Sequence, residues 1–368
     1  MIPNLTNIAS QFINQGSIES VQPYGSGNIN ATFLVSCSEP ATPQFILQRI
    51  NTSVFPAPEL IMRNIHRVCH HINKKLEVSA SESNRKWLMP EILFCRERAD
   101  HLIDSQGNFW RAMSFIDSAE THESITGPDH AGEIGQALGT FHLLVSDLPP
   151  EALADTLPGF HNTPIYLRHF NKVLAQSAPP DSPEINFCLQ FIAQRRETMA
   201  ILEEAKNAGK LFNRTIHGDP KVSNIMIDKT SGQAISLIDL DTVKPGLVHY
   251  DIGDCLRSAC NSCGEEAKRA EQVKFDLDLC RAILTGYLIY AGQFLTSYDV
   301  DYLYDAVRII TFELGLRYFS DFLSGNIYFT YDSPTQNLQR AIIQFYLCKS
   351  IESQEKEIRS LVRSIISI

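Results

Sequence analysis

The sequence predicts an α+β protein with two lobes, a small N-terminal lobe made mostly of β-strands and a large helical C-terminal lobe. Short apolar runs bounded by turn residues follow one another up to about residue 116, a pattern typical of strands. Beyond residue 127, apolar residues recur mainly at helical spacing. Because residues 117–127 between them are polar and loop-like, we expect one lobe at 1–116 and the other at 117–368.

The composition is that of a soluble globular protein, with 44% hydrophobic and 20% charged residues among 368. The net charge of −10 argues against a nucleic-acid partner and against a basic membrane-binding surface. The first residues lack the pattern of a secretory signal, and no apolar run reaches the length of a membrane-spanning helix. The nine cysteines are scattered, so we expect reduced thiols in a cytoplasmic protein. The sequence leaves open whether the protein is a monomer or a homodimer.

Residues 213–261 contain the most specific pattern in the chain. Asp219, which follows His217 and Gly218, stands five positions before Asn224. Two apolar runs come next, 225–227 and 235–238, with a turn between them, and Asp239 follows the second run. This order predicts a β-hairpin that brings Asn224 and Asp239 to the same end, next to the loop that carries Asp219.

Phosphoryl transfer from a nucleotide needs this combination of groups. A loop aspartate accepts the proton of the attacking hydroxyl, and an asparagine and a second aspartate hold Mg²⁺ on the phosphates. We therefore assign Asp219 as the catalytic base and Asn224 and Asp239 as Mg²⁺ ligands. The alternative is a surface hairpin whose aspartate and asparagine residues only make turns. The added His217 and the later acidic motif at 251–254 favour the kinase interpretation.

The N-terminal lobe has predicted strands at 18–24, 31–35, 45–50 and 108–115, and a helix at 58–74. A glycine-rich turn at 25–30 would let backbone N–H groups approach the phosphates of ATP, and the candidates are Gly25, Gly27 and Asn28. A plain hairpin turn is the alternative. A dinucleotide-binding fold would need a third glycine followed by a helix, and a P-loop fold would need the P-loop motif. Neither feature is present, so both of these nucleotide-binding folds are excluded.

The third strand lacks the lysine that protein kinases place there to hold the phosphates. Gln48 and Arg49 occupy the corresponding positions and must point to opposite faces, and the register favours Gln48 as the nucleotide-facing residue. Glu59 could pair with a strand cation or be a solvated first-turn residue. Met113 and Phe115 end the strand at 108–115, where kinases hinge and bind adenine.

The C-terminal lobe has predicted helices at 128–147, 164–175, 184–205, 250–259, 275–291, 300–323 and 335–350. Gly132, Gly135 and Gly139 recur along the first, which predicts close packing against a neighbouring element. His142 on the same helix is expected to be a packed core residue.

The motifs at 217–224, 239–242 and 251–258 resemble those of the aminoglycoside phosphotransferase and choline kinase superfamily. That resemblance implies a protein-kinase-like fold and ATP- and Mg²⁺-dependent phosphorylation of a small molecule. The segments 46–51, 159–164 and 317–329 look most like the N-acetylhexosamine 1-kinase branch, which makes sugar 1-phosphates from GlcNAc or GalNAc. The resemblance covers residues 20–350. It implies a catalytic part for Lys221 and a substrate site, for an amino sugar, that includes His161, Arg257, Arg317 and Tyr328.

Several alternatives stay open. Both tryptophans, Trp87 and Trp110, lie in the small lobe, so no indole of the C-terminal lobe can stack on a sugar. Arg317 could instead form an i,i+4 ion pair with Asp321, and His161 could serve loop packing. The acceptor could be another alcohol, such as choline, homoserine, an aminoglycoside or a secondary metabolite. A non-catalytic nucleotide-binding scaffold is the remaining class.

Overall fold

The computed structural model describes residues 5–25, 29–39, 42–79 and 85–366, and it has the predicted α+β architecture. The strands, numbered along the chain, are β1 (Ile18–Pro23), β2 (Ala31–Cys37), β3 (Phe45–Ile50), β4 (Ile92–Leu93), β5 (Leu102–Ile103), β6 (Phe109–Ser114), β7 (Ala119–Thr121), β8 (Arg214–Ile216), β9 (Ile225–Asp228), β10 (Ala234–Leu237) and β11 (Lys244–Gly246). The helices are α1 (Leu5–Ala9), α2 (Pro58–Ser79), α3 (Pro128–Val145), α4 (Thr163–Gln176), α5 (Pro183–Arg195), α6 (Ile201–Asn207), α7 (Val248–Ala259), α8 (Leu277–Ala291), α9 (Ser297–Asp301), α10 (Leu303–Leu323), α11 (Gln336–Ser353) and α12 (Glu355–Ile366).

The N-terminal sheet is antiparallel, with β1, β2, β3, β6 and β4 in spatial order and β5 also paired with β6. One face carries buried apolar residues such as Val35, Leu47 and Trp110, which pack with α1. Side chains alternate between the two faces of a strand, so Gln48, the neighbour of Leu47, belongs to the opposite face. There Gln48 stands directly across from Thr32 on β2 and Arg111 on β6.

The predicted close packing of α3 is found against α8. A β-carbon on Gly135 would lie 1.9 Å from the Ile283 carbonyl oxygen, and one on Gly139 would lie 2.5 Å from the Tyr287 carbonyl oxygen. At Gly132 an added β-carbon would meet nothing, but the Gly132 carbonyl oxygen would be 2.2 Å from a β-carbon on Gly286. Only glycine allows the two backbones to approach this closely.

The predicted hairpin is formed by β9 and β10, with Leu237 opposite Ile225. The stretch 117–127, predicted as a loop, contributes β7, which pairs with β9 and extends the hairpin into a three-stranded sheet. Strands of two or three residues, as in β4, β5, β7, β8 and β11, are too short to show a periodic pattern in the sequence. The C-terminal helix α12 was not predicted either. Among the described residues, no helix combines the length and apolarity needed to cross a bilayer.

Candidate active site

Two adjoining cavities lie between the N-terminal sheet and the helical part. The larger has a volume of about 870 Å³ and the smaller about 230 Å³, and Lys221 and Asp239 line both. The larger cavity is also lined by Gly25, Gln48, Met113, Phe115, Asn224 and Arg257. The smaller cavity is also lined by Gln48, His161, Asp219, Arg257, Arg317 and Tyr328. Thus twelve described candidates converge on one cleft, whereas Gly27 and Asn28 lie outside the described residues and their contact with phosphates stays a prediction.

A buried carboxylate fixes the loop that carries Asp219. Asp251, at the start of α7, accepts hydrogen bonds from the backbone N–H groups of His217 (2.7 Å) and Gly218 (2.8 Å). His142 lies 2.8 Å away on the other side, and its second ring nitrogen is 2.9 Å from the Tyr287 hydroxyl. Burial alone would raise the pKa of Asp251, but the hydrogen bond and charge of His142 hold it below its usual value. His142 is therefore a packed core residue, as predicted, and through Asp251 it supports the loop that carries Asp219.

Asp219 is partly exposed to the smaller cavity. Its Oδ2 accepts hydrogen bonds from Lys221 Nζ at 2.9 Å and from Asn224 Nδ2 at 3.1 Å. Desolvation tends to raise the pKa of Asp219, but the charge and hydrogen bond of Lys221, together with the charges of His217 and Arg257, outweigh it and lower the pKa. The carboxylate is therefore ionised at neutral pH and can accept a proton from a hydroxyl group.

Asn224 and Asp239 meet at the same end of the hairpin, as predicted. The Ile238 N–H donates to the Asn224 carbonyl at 2.9 Å, and Asn224 Nδ2 donates to the Asp219 carbonyl at 2.7 Å. Asp239 has a left-handed backbone conformation, with φ of 65°. Its carboxylate opens into the cleft, and no hydrogen-bond partner for it occurs within the described ranges. Desolvation in the cleft, followed by the negative charge of Asp241, raises the pKa of Asp239 to about 7.

These two side chains fit a hard divalent cation. The part of the chain that is described holds no group of three or more His, Cys, Asp or Glu residues arranged as a metal site. Mg²⁺ does not require one, because it commonly takes one or two carboxylates together with phosphate oxygens and water. Asp239, a carboxylate crowded by other carboxylates, and the amide oxygen of Asn224 supply a suitable donor set.

The third strand presents Gln48 to the cleft, in agreement with the strand register. Arg49 points away and lies 5.9 Å from the Trp110 ring centroid. Glu59 is exposed at the start of α2, as the solvated alternative predicts. Sequence reasoning missed Arg111, which is 1% exposed and pairs with Asp241. The available signal was an arginine in the middle of an otherwise apolar strand.

Arg317 lies among aromatic rings. Its guanidinium carbon is 5.1–5.8 Å from four ring centroids, those of Phe160, Tyr166, Tyr328 and Phe329. The alternative of an ion pair with Asp321 is wrong, because Asp321 instead accepts hydrogen bonds from the backbone N–H groups of residues 327–329. No carboxylate among the described residues therefore neutralises the charge of Arg317, which lines the smaller cavity.

His161 and Arg257 are engaged by protein groups. His161 is buried, with Nδ1 3.1 Å from Glu313 and Nε2 2.8 Å from the Gly218 carbonyl. Both ring nitrogens are used, which favours loop packing over the predicted substrate contact. Arg257 is paired with Asp254 at 2.8 Å and with Glu265. Arg257 lines both cavities, but Asp254 and Glu265 already balance its positive charge.

Comparison with known proteins agrees with this geometry. A sequence model of the phosphotransferase enzyme family matches residues 20–283. Among solved structures, a microcompartment-associated aminopropanol kinase is similar with a TM-score of 0.64 and 16% identity, over 98% of this chain and 99% of that one. An aminoglycoside phosphotransferase from Alicyclobacillus acidocaldarius has a TM-score of 0.59 and 14% identity, over 99% and 97%. An amicoumacin kinase solved with AMP-PNP and Ca²⁺ has a TM-score of 0.58 and 10% identity, over 99% and 94%. At these identities the likeness concerns the fold.

Proposed function

The chain belongs to the phosphotransferase enzyme family, and from this premise we propose that it is a kinase that uses ATP and Mg²⁺ to phosphorylate an N-acetylhexosamine, GlcNAc or GalNAc, at the anomeric hydroxyl. Phosphoryl transfer to a hydroxyl group is the activity of the family, whose kinases use ATP, often with a divalent metal ion. The identity of the metal and of the acceptor is the proposed part.

The proposed chemistry follows from the residues around the junction of the two cavities. Asp219 takes the proton of the acceptor hydroxyl, whose oxygen bonds to the γ-phosphorus as the bond to the leaving ADP oxygen breaks. Lys221, 2.9 Å from Asp219, holds that carboxylate in place and supplies positive charge at the transferred group. Asn224 and Asp239 would hold Mg²⁺, which when bound neutralises charge on the phosphates.

The charges around the smaller cavity carry the proposal for the acceptor. Its carboxylates other than Asp239 are paired with protein groups: Asp219 with Lys221, Asp241 with Arg111, Asp254 and Glu265 with Arg257, and Glu313 with His161. Arg317, in contrast, has no carboxylate partner among the described side chains. An acceptor that carries an ammonium group would meet this charge instead of an acid, and the ring faces that could cage it already surround Arg317.

A neutral sugar suits these surroundings better. Guanidinium N–H groups can donate to ring hydroxyls and to an acetamido oxygen. Tyr328, which is 43% exposed, offers a face to the apolar side of the ring. The anomeric hydroxyl is the most acidic hydroxyl of a reducing sugar, so it gives up its proton to a carboxylate more easily than the other ring hydroxyls do.

A second candidate is a kinase of the same fold that acts on another alcohol, such as choline, homoserine, an aminoglycoside or a secondary metabolite. The observation in its favour is the similarity to an aminopropanol kinase over 98% of the chain. ADP release measured with GlcNAc, GalNAc, 1-amino-2-propanol, ethanolamine and choline separates the two. Turnover with the sugars supports the proposal, and turnover with the amines alone refutes the sugar assignment.

We extend the proposal to the organisation of the chain. Residues 1–116 would bind the nucleotide, since Gly25, Gln48, Met113 and Phe115 line the larger cavity. Residues 117–368 would carry the catalytic and substrate groups, and the pairing of β7 with β9 supports a boundary at that point. All nine cysteines are free thiols, which suits a cytoplasmic enzyme.

A further inference from the structure

A row of polar side chains crosses the cleft-facing side of the N-terminal sheet. Thr32, Gln48 and Arg111 stand opposite one another on three adjacent strands. Gln48 Oε1 accepts hydrogen bonds from Arg111 Nε at 3.0 Å and from Arg111 Nη2 at 2.7 Å. Gln48 Nε2 donates to the Thr32 hydroxyl at 3.0 Å.

This row determines which way the amide of Gln48 points. A guanidinium group has only donors, so the amide oxygen must face Arg111 and the NH₂ group must face the other way. Nε2 carries two hydrogens, and the bond to Thr32 uses one of them. Since Gln48 lines both cavities, its second N–H is available to an acceptor in the cleft.

The same arginine connects the sheet to the segment that carries Asp239. Arg111 Nη2 donates to Asp241 Oδ1 at 2.5 Å, and Asn30 Nδ2 donates to Asp241 Oδ2 at 2.7 Å. Asp241 is 3% exposed and stands two residues after Asp239. In protein kinases a lysine on the third strand forms an ion pair with a glutamate on the following helix. Here Glu59 on α2 is exposed, and the buried ion pair is the one between Arg111 and Asp241.

We propose that Arg111 is a positioning residue of the nucleotide site, which orients the Gln48 amide to donate an N–H to a phosphate oxygen of the nucleotide and anchors Asp241 so that Asp239 is held at the cleft. The strand lysine of protein kinases is thus replaced by a neutral donor, Gln48, backed by a buried cation. This inference rests on the proposed function, because it assigns roles within the nucleotide site.

Gln48→Glu tests the orientation. A glutamate can accept the same two hydrogen bonds from Arg111, so the unfolding temperature should be unchanged or higher. Its second oxygen, however, would face the phosphates in place of an N–H donor. Loss of a hydrogen bond to a charged group predicts about tenfold weaker binding of Mg·ADP. Adenosine, which has no phosphate, should bind within about twofold of the wild-type value, as measured by ligand-detected NMR.

Arg49→Gln is the matched control, because Arg49 is the next residue on β3 and points away from the cleft. Arg49→Gln should change neither the affinity for Mg·ADP nor the affinity for adenosine. Arg111→Met alone would leave Asp241 buried without its charged partner, so the double variant Arg111→Met/Asp241→Asn is used as well. We expect it to fold and to bind Mg·ADP about threefold to tenfold more weakly, again with adenosine unchanged.

The outcomes distinguish this inference from the proposed function. If the wild-type protein fails to bind Mg·ADP, the kinase proposal itself is refuted. If the wild type binds Mg·ADP and both variants bind it as tightly as the wild type does, the positioning role of Arg111 is overturned and the kinase proposal stands. The same conclusion follows if the affinity for adenosine falls by the same factor as the affinity for Mg·ADP.

Discussion

Asn224 Nδ2 donates a hydrogen bond of 2.7 Å to the backbone carbonyl of Asp219. Asn224 lines the larger cavity, whereas the Asp219 side chain lines the smaller. This bond therefore joins the proposed metal ligand and the proposed base across the boundary where the two cavities meet. It also commits the amide nitrogen of Asn224, which leaves the amide oxygen for a cation.

Replacing the base should separate catalysis from nucleotide binding. We expect Asp219→Asn to lower kcat by about 10²–10⁴-fold, because the proton of the acceptor loses its carboxylate acceptor. The KM for ATP should change little. Steady-state kinetics on the active substrate measure both, and the control is Asp181→Asn, at an exposed carboxylate that lines neither cavity. Near-wild-type turnover of Asp219→Asn would contradict the assignment of Asp219 as the catalytic base.

Asp239 should matter for the metal and not for the fold. Its carboxylate has no hydrogen-bond partner within the described ranges and faces other carboxylates, so Asp239→Asn should leave the unfolding temperature unchanged or raised. Mg²⁺ should then no longer strengthen ADP binding, because one of its ligands is lost. Calorimetric titration of ADP with and without Mg²⁺ checks this. A variant that keeps the wild-type Mg²⁺ effect would show that another group binds the metal.

Arg317 should affect the acceptor and not the nucleotide. We expect Arg317→Ala to reduce kcat/KM for the sugar by about 10–100-fold, as for loss of one or two hydrogen bonds to a charged group, with the KM for ATP unchanged. Arg269→Ala, at an exposed arginine, is the matched control. Equal losses for sugar and ATP would instead point to a general structural role.

The His161–Glu313 pair predicts a pH-dependent stability. Burial tends to lower the pKa of His161, but the hydrogen bond and charge of Glu313 dominate and raise it. A raised histidine pKa stabilises the fold fully below the unfolded-state value of about 6.5, and the contribution is lost as pH rises through the folded-state value. His161→Gln should therefore cost about 3 kcal/mol of unfolding free energy at pH 6 and less at higher pH. A loss of unfolding free energy in His161→Gln that grows with pH would contradict the pairing of a protonated His161 with Glu313.

Parts of the site could be predicted because they depend on local order in the chain. Asn224 and Asp239 flank two short strands joined by one turn, so the hairpin alone brings them together. The partners of Arg111 could not be predicted in this way, because Asp241 lies 130 positions away and meets it only when sheet and hairpin pack.

The surroundings of Arg317 illustrate the same limit. Spacing along α10 suggested Asp321 as its partner, yet the rings around it come partly from Phe160 and Tyr166, about 150 positions earlier. Periodicity identifies which face of a helix is buried, but not which distant side chains occupy that face.

The position of the phosphate in the product tests the central proposal most directly. The protein is incubated with ATP, Mg²⁺ and GlcNAc or GalNAc, and the product is examined by ³¹P NMR. The predicted result is a phosphorus signal coupled to the anomeric proton, which forms about 10²–10⁴ times more slowly with Asp219→Asn. A phosphate on C6, or no sugar phosphate beside clear turnover of an amino alcohol, would contradict the sugar 1-kinase proposal.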